Sequence, residues 1–510
     1  MLLAIVSITS NVAMASTPTF KTTKAGPAPA LSPEITAEQF DKAMDEAKSR
    51  GKRTVAAADK ITDQALSESF KNLRSRVIGG AGTDASGKAT TFAGAQTPDD
   101  LQAILKDIND DSFYAKLSPD AQFAAAQMAP LIAFHGFFNR AIEWIEPTPI
   151  AHMGTVAVLR SLGSGVMVYF PTAQWKAGIE YLTVPSDDMG PIIRNENDMH
   201  AFLEKDLIPA VVKMKDRLEA LNFIQKPVYF DNKIFYGTAN FFSDRDQYLR
   251  IGEAEKRAVL ANVYYALSGL ESVDAYNLNG LFKAVDTISK NYGFNSFLTF
   301  NPDASTAQKR FKVLKDANSS VGFLNLRDGG KTWMHASYNS LTFAVINNAL
   351  SFHELREHLN DTETYGNVMD PRSFVGGSRM IGNGLTNLRY IVTGKGKTAK
   401  VQSGVISTEG RVVSLENFFN NPPTSIVDLM PNGFNESPYN MTANVTVDGK
   451  KTSRTFHNFL SGRPNAWPLA EYQKVFPELK NSDDVPETAR MMSQSWGGWL
   501  LGVPMSALVL

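Results

Sequence analysis

Apolar residues recur at helical spacing along most of this chain, and the clearest run is Asn195 to Leu221. There Met199, Phe202, Leu203, Leu207, Val211, Met214, Leu218 and Leu221 follow one another at three or four residues with charges between them. That is the period of an amphipathic helix with one buried stripe. Thr36 with Gln39 makes a capping-box pattern ahead of Phe40, Met44 and Ala47, and Ile61, Ala65, Leu66, Phe70, Leu73 and Val77 form a second short stripe. Thr97-Pro98-Asp99 and Ser118-Pro119-Asp120 are start signals of one kind: a cap residue, proline at the first helical position, and an acid suited to the helix dipole. The second opens Ala121 to Ile145, apolar on more than one face through Phe123, Met128, Leu131, Phe134, Phe137 and Phe138, which predicts a helix central to the core. Glu253 to Tyr292 reads as a helical pair broken near Asn277 to Gly280, and Trp333 to Leu359 as another long helix.

The pattern also predicts where the helices stop. Gly79 to Gly94, made largely of Gly, Ala, Thr and Ser, reads as a linker between an N-terminal helical arm over 34–78 and a main body over 95–360. Thr155 to Phe170 is strongly apolar but short for a membrane span and ends at Pro171, so burial in protein is expected. After Asn360 the period changes. Leu388 to Ser407 alternates around Gly394-Lys395-Gly396 and Asn444 to Phe456 around Asp448-Gly449, two hairpin signals in a mixed region over 361–510 that packs on the main body. No repeat of solenoid length is visible. The expected fold is mainly α, a large helical body with a smaller β-hairpin-rich part toward the C-terminus.

Met1 to Ala15 bears on destination. An apolar run from Leu2 to Val6 leads to Ala13-Met14-Ala15, the small-x-small pattern of a signal-peptidase site, which predicts a signal peptide over 1–15 and a mature start near Ser16. The segment departs from the usual form in having no Lys or Arg before Lys21. Residues 16–33, rich in Thr, Pro, Ala and Lys, read as a flexible tether. Export to periplasm, cell surface or medium is the expectation, with no transmembrane span in the mature chain. The 51 basic and 52 acidic residues leave a formal charge of -1, which argues against a nucleic-acid partner. The absence of cysteine excludes disulfides, thiol nucleophiles and thiolate metal sites. Sequons stand at Asn318, Asn360, Asn435, Asn440 and Asn444, but an exported chain without disulfides suits a bacterial envelope, where sequons carry no meaning.

Chemical motifs are weak. In His353-Glu354-Leu355-Arg356-Glu357-His358 the histidines are five apart and diverge by about 140° on a helix, so they do not form a zincin pair. Asp107-Ile108-Asn109-Asp110-Asp111 begins like a calcium loop, but Ser112 stands where glycine is required and Ser118 where a bidentate glutamate is required. A polar turn between helices explains it better. Gly376-Gly377-Ser378-Arg379 and Gly382-Asn383-Gly384 lack the spacing of a phosphate loop or a nucleophile elbow. No cofactor or metal site is implied, and no Ser-His-Asp set can be assembled.

The most unusual local pattern is an aromatic ribbon over 228–248. Tyr229-Phe230, Phe235-Tyr236 and Phe241-Phe242 recur every six residues, which in extended structure puts Tyr229, Phe235 and Phe241 on one face. Asp231-Asn232-Lys233 would be the turn of a small hairpin. If one face stays open, its rings stack on a sugar or an extended peptide, with Asp231, Asn232, Asp244 and Asp246 at the rim. If both are covered, the ribbon is a wedge between core helices. The apolar stretch from Trp496 to Leu510 is expected to dock as the last piece of the core. The sequence therefore supports an exported, non-enzymatic helical protein with a binding or structural role in the cell envelope, whose partner is a glycan or an envelope protein. The alternative is a secreted glycan hydrolase using a carboxylate pair, with Asp187 and Asp188 or Asp244 and Asp246 as candidate acids.

Overall fold

The computed structural model describes residues 63–141 apart from 85, 173–183, 189–236 apart from 225, 247–288 apart from 282, 285 and 286, 303–357, 415–447, 450–485, 499–500 and 503–504. Its principal helices are α1 (Glu68–Ile78), α2 (Pro98–Asn109), α3 (Pro119–Met128), α4 (Ala173–Thr183), α5 (Glu196–Phe202), α6 (Ile208–Ala220), α7 (Glu253–Ala275), α8 (Ala304–Val321) and α9 (Gly330–Glu357). The described part is mainly helical, with four two-stranded antiparallel sheets. The starts of α1 and α2 are capped by side chains, whereas the Ser118 hydroxyl, expected to cap α3, makes no capping bond and meets Ser67 and Asp120 instead. Thr97 and Asp100 form a reciprocal capping box at α2, and the Ser67 hydroxyl accepts the Phe70 N–H at α1.

The centre is the pair α7 and α9. Ser351 Oγ donates to the Ala254 carbonyl, Arg257 reaches Asn347, Tyr264 stacks on Phe343, and Ser268 and Ser272 meet Ser337. Residues rising along one helix meet residues falling along the other, so the two run antiparallel. Small serines at this seam let the helices approach, and their hydroxyls satisfy one another. Gly330 is required where α9 starts against the end of α7. A Cβ there would lie 2.3 Å from the Ala275 carbonyl oxygen, a backbone atom that cannot swing aside.

Around this pair the Asn195–Leu221 stripe is buried as the period predicts, with Phe202, Leu203, Leu207, Val211, Met214, Leu218 and Leu221 all in the core. The expected single helix over Ala121 to Ile145 is instead broken. α3 gives way to a tight 3-10 segment at Ala129–Phe134 and then a short helix at Phe137–Arg140. Pro130 and the left-handed Gly136 (φ 59) break the ladder, while Phe123, Phe134, Phe137 and Phe138 remain buried as their apolarity demands. Gly79 to Gly94, expected as a linker, forms a hairpin of β1 (Gly80–Thr83) and β2 (Ala89–Phe92). Its neighbour α1 is packed into the common core, where Phe70 meets Phe230 edge-on at 5.1 Å between ring centres.

The Asn277 to Gly280 break is real, since α7 ends at Ala275 and Tyr276 bridges Leu326. Gly433–Val447 pairs with Lys450–Asn465 in a long antiparallel hairpin whose base rests on α8, while Asp448 and Gly449 themselves lie outside the described residues. Asn318 is occupied internally, donating to the Phe323 carbonyl, Asn325 and Ser425. The Asp107 to Asp111 turn holds cations of the protein itself: Asp107 pairs with Arg76, and Asp111 with Lys213 and Arg217. The signal segment and tether, the Thr36 to Ala47 stripe, Thr155 to Phe170, Asp187 and Asp188, the Gly376 to Gly384 loop and the Leu388 to Ser407 hairpin lie outside the described residues.

Replacing Gly330 by Ala should cost about 1–3 kcal/mol by forcing the α7–α9 junction apart. Chemical denaturation of the variant measures it, and an unchanged midpoint would mean that the junction yields freely.

Candidate functional site

Glu196, His200 and Glu204 recur every four residues on the same side of the helix that begins at the Asn195 cap. This polar stripe is buried against the end of α7 and the Tyr276–Arg327 connection. His200 Nδ1 lies 2.7 Å from Asp274 Oδ1. Arg327 donates through Nη1 to the Asp274 carbonyl (2.7 Å) and carboxylate (3.1 Å), lies 2.8 Å from His200 Nδ1, and reaches Glu204 Oε1 through Nη2 at 3.1 Å. The Gly280 N–H donates to Glu196 Oε1. His200 is 3% exposed, Asp274 0% and Arg327 5%, so the set is enclosed rather than open to a cleft.

Burial decides the charge states. It pushes the Asp274 carboxyl up to about 6 against the pull of Arg327, and the Glu271 carboxyl, one turn back on α7, up to about 8 against a hydrogen bond from Ser340. Glu196 is raised by the same cause. Burial and the neighbouring Arg327 charge push His200 down to about 3, so its imidazole is neutral. Nδ1 faces both the Asp274 carboxylate and the Arg327 guanidinium, and Nε2 has no hydrogen-bond partner among the described residues.

Between α5 and α6 the chain makes a π-helical turn, Leu203–Leu207, in which the Ile208 N–H reaches back to the Leu203 carbonyl. Pro209 explains the irregularity, because it has no N–H for the Lys205 carbonyl and its ring crowds that group. The turn carries two acids to two buried arginines: Glu204 to Arg327, and Asp206 to Arg140 at 3.0 Å. Arg140 also donates to the Pro191 and Ala133 carbonyls and lies over the Phe202 ring. Such turns are frequent at functional sites.

The aromatic ribbon is placed differently from its extended reading. Val228–Asp231 is a strand paired with Tyr248–Ile251, but Asn232 turns and Lys233–Tyr236 is helical, so the backbone at Phe235 is not extended. Phe230 is buried against Phe70 and Phe123, and Tyr229 is half-buried against the core. Asp231 is 1% exposed and held by Arg74 at 2.7 Å, so it does not sit at a rim. The half-buried Asn232 donates its N–H to the Gln247 carbonyl. Phe241, Asp244 and Asp246 lie outside the described residues. Among the described residues no group of three His, Asp or Glu side chains is arranged to hold a metal ion.

None of His200, Glu204, Glu271, Asp274 or Arg327 stands out in the sequence as a site. The available signal was the polar set Ser268, Glu271, Ser272 and Asp274, at three- and four-residue spacing in the last two turns of α7. No family model matches the chain, and neither a curated protein nor a solved structure matches it.

Arg327→Met should destabilise the fold by about 3–5 kcal/mol, because it leaves buried carboxylates without their cation; a denaturation midpoint within error of the wild type would refute that. The pH dependence has a definite sign. Glu271 binds its proton more tightly folded than unfolded, so its stabilising contribution is complete below the ordinary carboxyl range and is lost as pH rises through about 8. His200 and Asp274 act in opposite directions at lower pH: His200 costs stability as pH falls from 6.5 toward 3, Asp274 as pH rises from 3.8 toward 6. The melting temperature should therefore fall between pH 6 and about 8, and Glu271→Gln should flatten that slope.

Proposed function

We propose that this chain is an exported helical protein with a non-catalytic binding role in the cell envelope. The observation that carries the non-catalytic half is the enclosure of the ionisable cluster. His200, Asp274 and Arg327 are buried and committed to one another, whereas an acid-base catalyst must reach a substrate proton directly or through one water. Asp231, expected as a polar contact at the rim of the aromatic ribbon, is held by Arg74. The balanced charge suits a partner other than nucleic acid, and a glycan or an envelope protein remains the partner of choice. No helix among the described residues is long and apolar enough to cross a membrane. Export rests on the Leu2–Val6 run and Ala13-Met14-Ala15.

Cell fractionation with N-terminal sequencing of the recovered protein tests the destination. The expected result is a mature chain beginning near Ser16 outside the cytoplasm, and retention with Met1 intact overturns it. Incubation with cell-wall glycan tests the chemistry: no reducing ends should appear. Their release, abolished by Asp244→Asn or Asp187→Asn, would establish the hydrolase instead.

A further inference from the structure

A cavity of about 240 Å³ opens between α6, α7 and α9, away from the His200 cluster. Leu260, Phe343 and Ile346 give it an apolar wall, and Glu219, Lys256, Arg257 and Asn347 the polar remainder. The charges are unevenly committed. Buried Glu253 serves both cations, with Oε2 at 3.0 Å from Lys256 and Oε1 at 2.9 Å from Arg257 Nε, so one carboxylate answers two positive charges. Lys256 is further satisfied by the Leu221 carbonyl. Arg257 spends Nη1 on Asn347 at 3.1 Å, and its Nη2 has no partner among the described residues. Glu219 is exposed, accepts the Tyr264 hydroxyl at Oε1 and acts on Lys256 through its charge, and among the described residues Oε2 has no hydrogen-bond partner. Glu219 and Arg257 thus line one cavity without pairing.

An arginine with an unspent Nη2, a carboxylate that does not pair with it and an apolar lining in one cavity match a molecule carrying both charges and a hydrocarbon side chain. We propose that this cavity binds a small zwitterion of the apolar α-amino acid class. The ligand carboxylate meets Arg257, its ammonium meets Glu219, and its side chain lies on Leu260, Phe343 and Ile346. Carboxylate recognition by a guanidinium is strong because both partners are charged, and most binding sites have this build of apolar lining with a few placed polar groups. This ligand goes beyond the glycan or envelope-protein partner proposed above and rests on that reading only in being bound rather than transformed.

Calorimetric titration of the purified full chain with L-leucine, L-methionine and L-phenylalanine tests it. At least one should bind saturably with Kd at or below about 1 mM. For the best ligand, the deaminated acid and the decarboxylated amine should each bind at least tenfold more weakly, a loss of about 1.4 kcal/mol. Arg257→Met and Glu219→Gln should each weaken binding tenfold, and Glu219→Gln, exposed and still able to accept from Tyr264, should keep the wild-type melting temperature. No saturable binding by any of the three, or equal binding by the singly charged analogues, overturns the proposal. Fractionation reads the export reading separately, so either can fail without the other.

Discussion

The interior of this protein has to accommodate more carboxylates than cations at one junction, and Arg327 is the group that makes that possible. Glu204 and Asp274 converge on a single guanidinium, with neutral His200 beside them. An arginine suits the place because its planar fork serves several acceptors at once and it does not lose its proton on burial. Glu196 and Glu271 lie beyond its hydrogen bonds and are raised by burial toward the neutral acid. Charge that cannot be paired in a low dielectric is removed by protonation, and that exchange ties the stability of the core to pH.

This junction joins elements far apart in the chain. Arg327 links the π-helical turn to the end of α7, and Arg140 links the same turn to the segments at Ala133 and Pro191. Pro209 makes the turn, and the two ion pairs hold its acids in opposite directions. A regular helix would keep neither pairing, since one residue fewer would rotate Glu204 and Asp206 together by about 100°. Removing one member of such a pair would leave the other charge buried without compensation, so the two arginines hold the turn in this packing as the serine hydroxyls hold α7 on α9.

The aromatic chain of Phe70, Phe123, Phe223 and Phe230, in edge-on contacts of 5.1 to 6.0 Å, does the complementary work of bringing α1 and the β3 strand at Val228–Asp231 onto α3. It accounts for Phe230 of the unusual aromatic pattern as core. The cavity beside Arg257 differs from both systems in leaving charged groups uncommitted, and it is there that a binding role finds its best physical support.

Much of this was legible from local pattern. Cap chemistry at Thr97, the stripe from Phe202 to Leu221 and the break after Ala275 all follow from short-range spacing, because capping and amphipathic periodicity involve residues within a turn or two of each other, though Ser118 makes no cap bond. The turn at Asn232 and the breaks at Pro130 and Gly136 show where that logic fails: apolar content specifies burial but not whether the backbone stays helical. The pairing of Asp231 with Arg74, of Asp274 with Arg327, and the gap between Glu219 and Arg257 could not be read at all. Their partners are separated by 157, 53 and 38 positions, and only the packing of α1 on the Val228–Asp231 strand, of Arg327 on the end of α7 and of α6 beside α7 decides which charges meet in the interior and which are left facing a cavity.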